Sequence, residues 1–214
     1  MQNAFGLNIP QTLEETCDPR HTALIVYDMQ IGIMSQLPNG QQITTQVRMV
    51  LDAARAGGYR VFFTRHLSLP KECMGTFQLR QAMAWQRTDS PDKVQPWFLR
   101  GTPGVEIVPE LAPLPSEAVV DKIAMSAFAG TYLDIALRDC GVNSFVIVGV
   151  ALEVGIEPTV RHSTDLGYLP IVVTDACGGR DEAAMERARA GLQFTGDALL
   201  TDTATLCPLL QRPR

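Results

Sequence analysis

Apolar strands and amphipathic segments alternate along most of this chain. The run from Thr22 to Tyr27 is continuously apolar and rich in β-branched residues, which is typical of a strand buried on both faces of a parallel sheet. Apolar residues then recur at helical spacing from Ile43 to Ala54, and the pair Gly57–Gly58 predicts the end of that helix. The same reasoning predicts further strands at residues 60–64, 118–120, 144–149, 169–174 and 198–201. It predicts further helices at residues 133–140, 156–166, 182–194 and 203–210.

This alternation of strands and helices predicts the fold class. Six strands separated by helices indicate a three-layer α/β fold with an open, mostly parallel six-stranded sheet. The sequence contains no internal repeat and no linker-like stretch, so we expect residues 1–214 to form a single domain.

Residues 67–115 interrupt the regular pattern. The segment is rich in proline and holds both tryptophans of the chain, Trp85 and Trp97, together with Phe98. A long irregular stretch inside a compact domain is usually a functional lid or an interface segment. A surface loop that packs on its own aromatic side chains is the alternative, and the sequence does not decide between them.

Composition and charge exclude several classes of protein. The 214 residues carry 18 basic and 23 acidic side chains, a net charge of −5, so we expect no nucleic-acid partner. No stretch approaches the roughly 18 apolar residues of a membrane helix, and the first residues lack a secretion signal. The 5 cysteines are scattered without a paired motif, which indicates reduced thiols and a cytoplasmic protein without membrane association.

Polar residues at the ends of the predicted strands are the candidates for chemistry. Ligands of open α/β sheets bind outside the carboxyl ends of strands, near the point where the strand order reverses. The residues at these ends are Asp28, Gln30, His66, Lys122, Glu153, Glu157, Asp175 and Cys177. Each of them could instead cap a helix or a turn. The sequence shows neither a phosphate-binding glycine motif nor metal-ligand spacing among its histidines, so we expect no cofactor and no metal.

Four segments resemble the isochorismatase-like hydrolases, which are also called the cysteine hydrolase superfamily. They are residues 23–30, 101–111, 122–134 and 145–176, and they follow one another in the family's order. The resemblance implies a Rossmann-like sheet, a homodimer or homotetramer, and a small-molecule substrate. It also implies an Asp–Lys–Cys catalytic triad and a cis peptide after strand 144–149 that helps to form an oxyanion hole.

Only two members of that triad are present. Asp28 and Lys122 match the family's aspartate and lysine, whereas Gly155 stands where most members have the cysteine. A glycine cannot form a thioester, so the usual route to amide hydrolysis is closed. Isochorismatases share this glycine and cleave a vinyl ether without a covalent intermediate, with the aspartate as general acid. They carry an aromatic residue and a histidine before the glycine, where this chain has Ala151 and Glu153, so the substrate stays open.

Two hypotheses follow for the function. The first is a hydrolase without a cysteine nucleophile, in which Asp28 is the general acid or base, Lys122 assists it, and Glu153 is a candidate for activating water. The second is a non-catalytic family member that binds a metabolite or a partner in the retained cleft. The residues expected to contact the substrate are Gln30, His66, Phe128, Val150, Ala151 and Glu153. Cys177 is the nearest candidate for a substitute nucleophile.

Overall fold

The computed structural model describes residues 1–212 and contains a six-stranded sheet in which every pairing is parallel. The strands within the described residues are β1 (Gln2–Ala4), β2 (Leu7–Ile9), β3 (Thr22–Tyr27), β4 (Arg60–His66), β5 (Ala118–Lys122), β6 (Ser144–Val150), β7 (Leu169–Gly178) and β8 (Leu199–Thr201). The strand order of the large sheet is β5-β4-β3-β6-β7-β8, while β1 and β2 form a separate antiparallel hairpin. The predicted fold class is confirmed.

Helices cover both faces of the large sheet and make the outer two layers. Those of the described chain are α1 (Leu13–Thr16), α2 (Ile31–Met34), α3 (Gly40–Ala56), α4 (Thr76–Gln86), α5 (Leu133–Asp139), α6 (Glu157–Asp165), α7 (Glu182–Thr195) and α8 (Thr203–Leu210). Helices α3 and α8 bury their apolar residues in one core, and α5, α6 and α7 bury theirs in a second core on the opposite face. No helix among residues 1–212 combines the length and the apolarity that crossing a membrane requires.

The segment 67–115 is less irregular than the sequence predicts, because it contains the 11-residue helix α4. None of the residues of α4 is buried, so the helix has no apolar stripe that periodicity could detect. The end of the segment is fixed next to Asp28: the Ile31 amide donates to the Glu106 carbonyl at 2.8 Å, and the Val108 amide donates to the Met29 carbonyl at 2.9 Å.

Strand β7 is also longer than predicted, and this changes the interpretation of Asp175. The strand runs to Gly178, with a register shift in its pairing to β6. Asp175 therefore lies inside a strand instead of at its end, and its Oδ1 accepts hydrogen bonds from the amide and the hydroxyl of Thr203, both at 2.9 Å. Asp175 holds the start of helix α8. The short hairpin β1–β2 and the helices α1 and α2 have no counterpart among the predicted elements.

Candidate active site

The reversal of strand order lies beside β3. From β3 the chain continues to β4 and β5 on one side, and it then crosses to β6, which pairs with the opposite edge of β3. The carboxyl ends of β3 and β6 therefore border a crevice, which is where open α/β sheets bind their ligands. Asp28 directly follows β3, and the turn that contains Gly155 follows β6.

Asp28 is held in one position by its neighbours. Its backbone is left-handed, with φ at 48°, and its side chain is buried. The Thr64 hydroxyl donates to Oδ1 of Asp28 at 2.6 Å, and the Asp28 amide donates to that same hydroxyl oxygen at 3.1 Å. The Lys122 ammonium donates to Oδ2 at 2.7 Å. Both carboxylate oxygens therefore have a donor, and one of these donors is a cation.

Lys122, the last residue of β5, is as deeply buried as its partner. The two side chains of the ion pair are only 1% and 6% exposed, so water screens their attraction weakly. Lys122 Nζ also donates to the Ala124 carbonyl at 3.2 Å and lies 4.5 Å from the centre of the Tyr27 ring. Every near neighbour of this ammonium is thus a carboxylate, a carbonyl or an aromatic face, all of which stabilise a cation.

A cavity of about 490 Å³ opens over this end of the sheet. Its walls are largely apolar, with a few polar groups from the ends of β3, β6 and β7, which is the usual composition of a small-molecule site. The lining residues are Tyr27, Asp28, Ile33, Gln36, Leu37, His66, Trp85, Trp97, Phe98, Met125, Val150, Ala151, Glu153, Val154, Gly155, Arg180 and Asp181. Segment 67–115 supplies three of the four large aromatic residues among them, and β3 supplies the fourth, Tyr27. Trp85 and Trp97 remain partly exposed, at 47% and 41%, whereas Phe98 is buried.

Two residues that the sequence places in the substrate site lie elsewhere. The Gln30 side chain accepts from the His66 amide at 2.6 Å and donates to the His66 carbonyl at 3.0 Å, so it joins the ends of β3 and β4 and does not line the cavity. Phe128 packs in the core with Phe145 and Tyr168, at ring distances of 6.0 and 5.5 Å. Phe128 therefore does not line the cavity as expected, because apolar packing holds its ring in the core.

The other expected contacts lie at the cavity wall, namely His66, Val150, Ala151 and Glu153. Lys122 does not line the cavity and reaches it only through Asp28. His66 packs edge-on against Phe98, with ring centres 6.0 Å apart. Burial, reinforced by the charge of Lys122, lowers the pKa of His66 to about 4, so the imidazole is neutral at neutral pH.

The two glutamates that follow β6 have different surroundings. Glu157 begins α6 and forms an ion pair with Arg161 at 3.0 Å, which agrees with a structural role. Glu153 lines the cavity, and its Oε1 accepts from the Arg180 amide at 3.2 Å. Its Oε2 is buried and has no hydrogen-bond partner among the described residues. A buried acceptor of this kind gains free energy from a donor that a ligand or a water molecule brings.

The chain leaves β6 through a cis peptide between Val150 and Ala151, as the resemblance implies. One π-helical turn, Leu152–Ile156, then leads into α6. The Gly155 amide donates to the Ala151 carbonyl at 2.9 Å, so this donor already has an acceptor within the turn. A Cβ atom at Gly155 would lie 2.6 Å from Cε1 and 2.7 Å from Cζ of Tyr27, which is closer than real side-chain contacts allow.

Cys177 does not have the surroundings of a nucleophile. It is buried in β7, its Sγ lies 3.6 Å from the Ile147 carbonyl oxygen, and it is not part of the cavity lining. Burial raises the pKa of the thiol to about 12, so the thiolate is scarce at neutral pH.

Sequence reasoning missed three residues of the site, namely Tyr27, Thr64 and Arg180. Tyr27 and Thr64 belong to buried strands and resemble core residues, so nothing in the local pattern distinguishes them. Arg180 follows a pair of glycines at the end of a strand, and this position at the ligand-binding edge is the signal that would have found it.

The comparison with known proteins agrees with this fold. Residues 22–203 match the isochorismatase domain, and the chain therefore belongs to the isochorismatase family. Family members are hydrolases, among them amidohydrolases.

Individual relatives are distant but nearly full-length. The ureidoacrylate amidohydrolase RutB of Serratia proteamaculans is 28% identical in an alignment of 203 residues that covers 87% of this chain and 77% of that protein. A cysteine hydrolase from Pseudomonas syringae has a solved structure with a TM-score of 0.76 and 26% identity, covering 91% of this chain and 94% of that one. An isochorismatase family protein from Desulfovibrio vulgaris has the same score and identity, covering 90% of this chain and 100% of its own.

Proposed function

We propose that this protein hydrolyses a vinyl ether, or a related acid-labile bond of a small metabolite, without a covalent intermediate. The observation that carries the proposal is the buried ion pair between Asp28, which lines the cavity, and Lys122, which lies behind it, in a site whose nucleophile position is a glycine. The site retains a positioned acid and a cation, and it offers no thiolate. Vinyl ether hydrolysis needs an acid and a water molecule but no enzyme nucleophile.

In the first step Asp28 acts in its protonated form, after taking up a proton from solvent, and gives that proton to the terminal carbon of the carbon–carbon double bond. The π electron pair forms the new C–H bond, and the positive charge left behind is shared between the adjacent carbon and the ether oxygen. Lys122 stabilises the Asp28 carboxylate that remains, and Thr64 keeps its other oxygen in place. The aromatic faces of the cavity wall favour the cationic intermediate.

In the second step water adds to the cationic carbon and returns a proton to Asp28. The resulting hemiketal breaks its C–O bond, which releases a carbonyl compound and an alcohol, so water is the only co-reactant. Glu153 lies at the same cavity with an unpartnered carboxylate oxygen and is a second candidate for holding this water.

We also propose that the substrate carries a carboxylate. Arg180 is an exposed residue of the cavity lining, and among residues 1–212 its side chain has no ion-pair partner. Guanidinium groups bind carboxylates through two parallel hydrogen bonds, so this side chain suits a small organic acid. Ureidoacrylate, which the name of one relative contains, is itself a carboxylate.

The test is a screen of vinyl ethers, amides and ureido compounds in ordinary and deuterated water. Proton transfer to carbon predicts a slower reaction in deuterated water and a product with deuterium bonded to the former vinyl carbon. Asp28→Asn is the matched control because it keeps the shape of the side chain but cannot donate or accept this proton, and we expect no turnover from it.

Two results would contradict the proposal. Hydrolysis of amides alone, abolished by thiol alkylation, would show that a cysteine acts as the nucleophile after all. Saturable binding of an organic acid without turnover of any compound in the screen would indicate the non-catalytic alternative, in which the retained cleft only binds a metabolite.

A further inference from the structure

Tyr27 is the bulkiest side chain at the junction of the three positions that define the family's triad. It is the last residue of β3, in the middle of the sheet, and only 1% of it is exposed. Its ring lies 4.5 Å from the ammonium of Lys122, and its hydroxyl donates a hydrogen bond to the Met125 carbonyl. Asp28 is the next residue along the chain, so Tyr27 contacts one member of the ion pair and precedes the other.

The ring of Tyr27 also fills the space beside Gly155. A Cβ at residue 155 would overlap Cε1, Cζ and the hydroxyl of Tyr27. The ring cannot easily give way, because its hydroxyl is bonded to Met125 and its face lies against Lys122. The backbone of Tyr27 is also confined, because it pairs in the sheet with Gly149. The two backbones lie so close together that a Cβ atom added at Gly149 would be 2.9 Å from the backbone nitrogen of Tyr27.

We propose that Tyr27 occupies the space of the family's missing thiol and acts as a positioning residue for the pair of Lys122 and Asp28. Glycine is then required at residue 155 because any side chain there collides with the ring. The positioning role rests on the proposed function, whereas the steric exclusion is a property of the folded chain and holds whatever the reaction is. A thiol added at residue 155 does not by itself restore the family's triad.

The steric part is tested by a double-mutant cycle of stability. Gly155→Ala should lower the melting temperature by several degrees, whereas Gly104→Ala, where a Cβ meets nothing closer than 3.7 Å, should leave it nearly unchanged. Tyr27→Val removes the ring, so adding Gly155→Ala to it should cost little or should stabilise. Tyr27→Phe keeps Cε1 and Cζ but removes the hydroxyl and its bond to Met125, so in that background Gly155→Ala should still lower the melting temperature, but by less than in the unmodified protein.

Equal melting temperatures of the alanine variants at residues 155 and 104 would overturn the steric part. So would additive effects in the cycle with Tyr27→Val. If Tyr27→Val does not fold, the steric part is still tested by comparing the two alanine variants with each other and by measuring Gly155→Ala in the Tyr27→Phe background. Iodoacetamide labelling followed by peptide mass mapping gives a second measurement: the cysteine of Tyr27→Val/Gly155→Cys should be labelled, unlike the cysteine of Gly155→Cys alone.

The positioning part is tested by kinetics on the substrate that the screen finds. Tyr27→Leu removes the aromatic face behind Lys122, and a misplaced catalytic group can cost about 100-fold in kcat. KM should change far less, because only 1% of Tyr27 is exposed at the cavity while the face of its ring lies against Lys122. Tyr27→Phe should recover most of the lost rate and the wild-type pH profile, since it keeps the ring under the ammonium.

Equal losses of kcat in the phenylalanine and leucine variants would overturn the positioning role, as would an effect on KM alone. Failure of the proposed function and failure of the steric part give different results. If no compound in the screen is hydrolysed, the proposed function fails and the positioning role fails with it. The melting temperatures and the labelling pattern still decide whether the ring excludes a side chain at residue 155.

Discussion

Replacing Lys122 with methionine is the sharpest test of the site, because it removes one partner of a buried ion pair and keeps most of the side-chain volume. The Asp28 carboxylate would stay buried with the Thr64 hydroxyl at one oxygen and no cation at the other. Breaking a buried ion pair in this way costs about 3–5 kcal/mol of unfolding free energy. For a domain of this size that corresponds to a melting temperature lower by roughly 6–20 °C.

The assay is thermal unfolding followed by circular dichroism, combined with the double variant Asp28→Asn/Lys122→Met. The double variant carries no uncompensated charge, so most of the lost stability should return. Hydrolytic activity should stay absent in both proteins, which separates the chemical role of the pair from its contribution to stability. A loss below about 1 kcal/mol, which is usual for an exposed pair, would refute the reasoning. Additive losses in the double variant would refute it equally.

Four further predictions concern other parts of the molecule. Turnover should survive iodoacetamide, because glycine stands at residue 155 and Cys177 is buried; complete loss traced to labelled Cys177 would refute this. The low pKa of His66, about 4, means that the unfolded chain takes up this proton first as the pH falls. Unfolding free energy should therefore fall by about 2 kcal/mol between pH 7 and pH 5, and urea titrations of His66→Gln should show a smaller fall. Arg180→Gln should raise KM at least about tenfold for a carboxylate substrate and leave its neutral amide analogue unaffected. Light scattering should show a dimer or tetramer at micromolar concentration, with the exposed aromatic residues of segment 67–115 in the interface; a strict monomer would exclude that role.

The sheet and most helices are predictable from the sequence because each element has the periodicity of its burial. Strand β3 is buried at every position, and α3 buries Ile43, Val47 and Val50 on one side. Helix α4 escapes this reasoning since it buries no side chain, and the hairpin β1–β2 escapes it because its strands are three residues long and neither of them buries a residue. The local pattern of apolar and polar residues reflects which side chains are buried. An element without a buried face therefore cannot be predicted from that pattern.

The candidate site is predictable only in part, for a related reason. Strand ends indicate Asp28 and Lys122, and the resemblance indicates the significance of Gly155. Side-chain direction is what the sequence does not specify: Gln30 turns toward the His66 backbone, and Phe128 turns into the core. Both are decided by contacts between residues far apart in the chain, which a local pattern does not contain.

The aromatic wall of the cavity gives the protein a built-in optical reporter. The chain has 2 tryptophans, and both of them, Trp85 and Trp97, line the cavity while keeping part of their surface in water. Indole emission shifts with the polarity of its surroundings, so a compound that displaces water from this wall changes the whole tryptophan signal of the molecule. Affinities for candidate substrates are therefore measurable by titration without any label, even in variants that have lost the ability to turn them over.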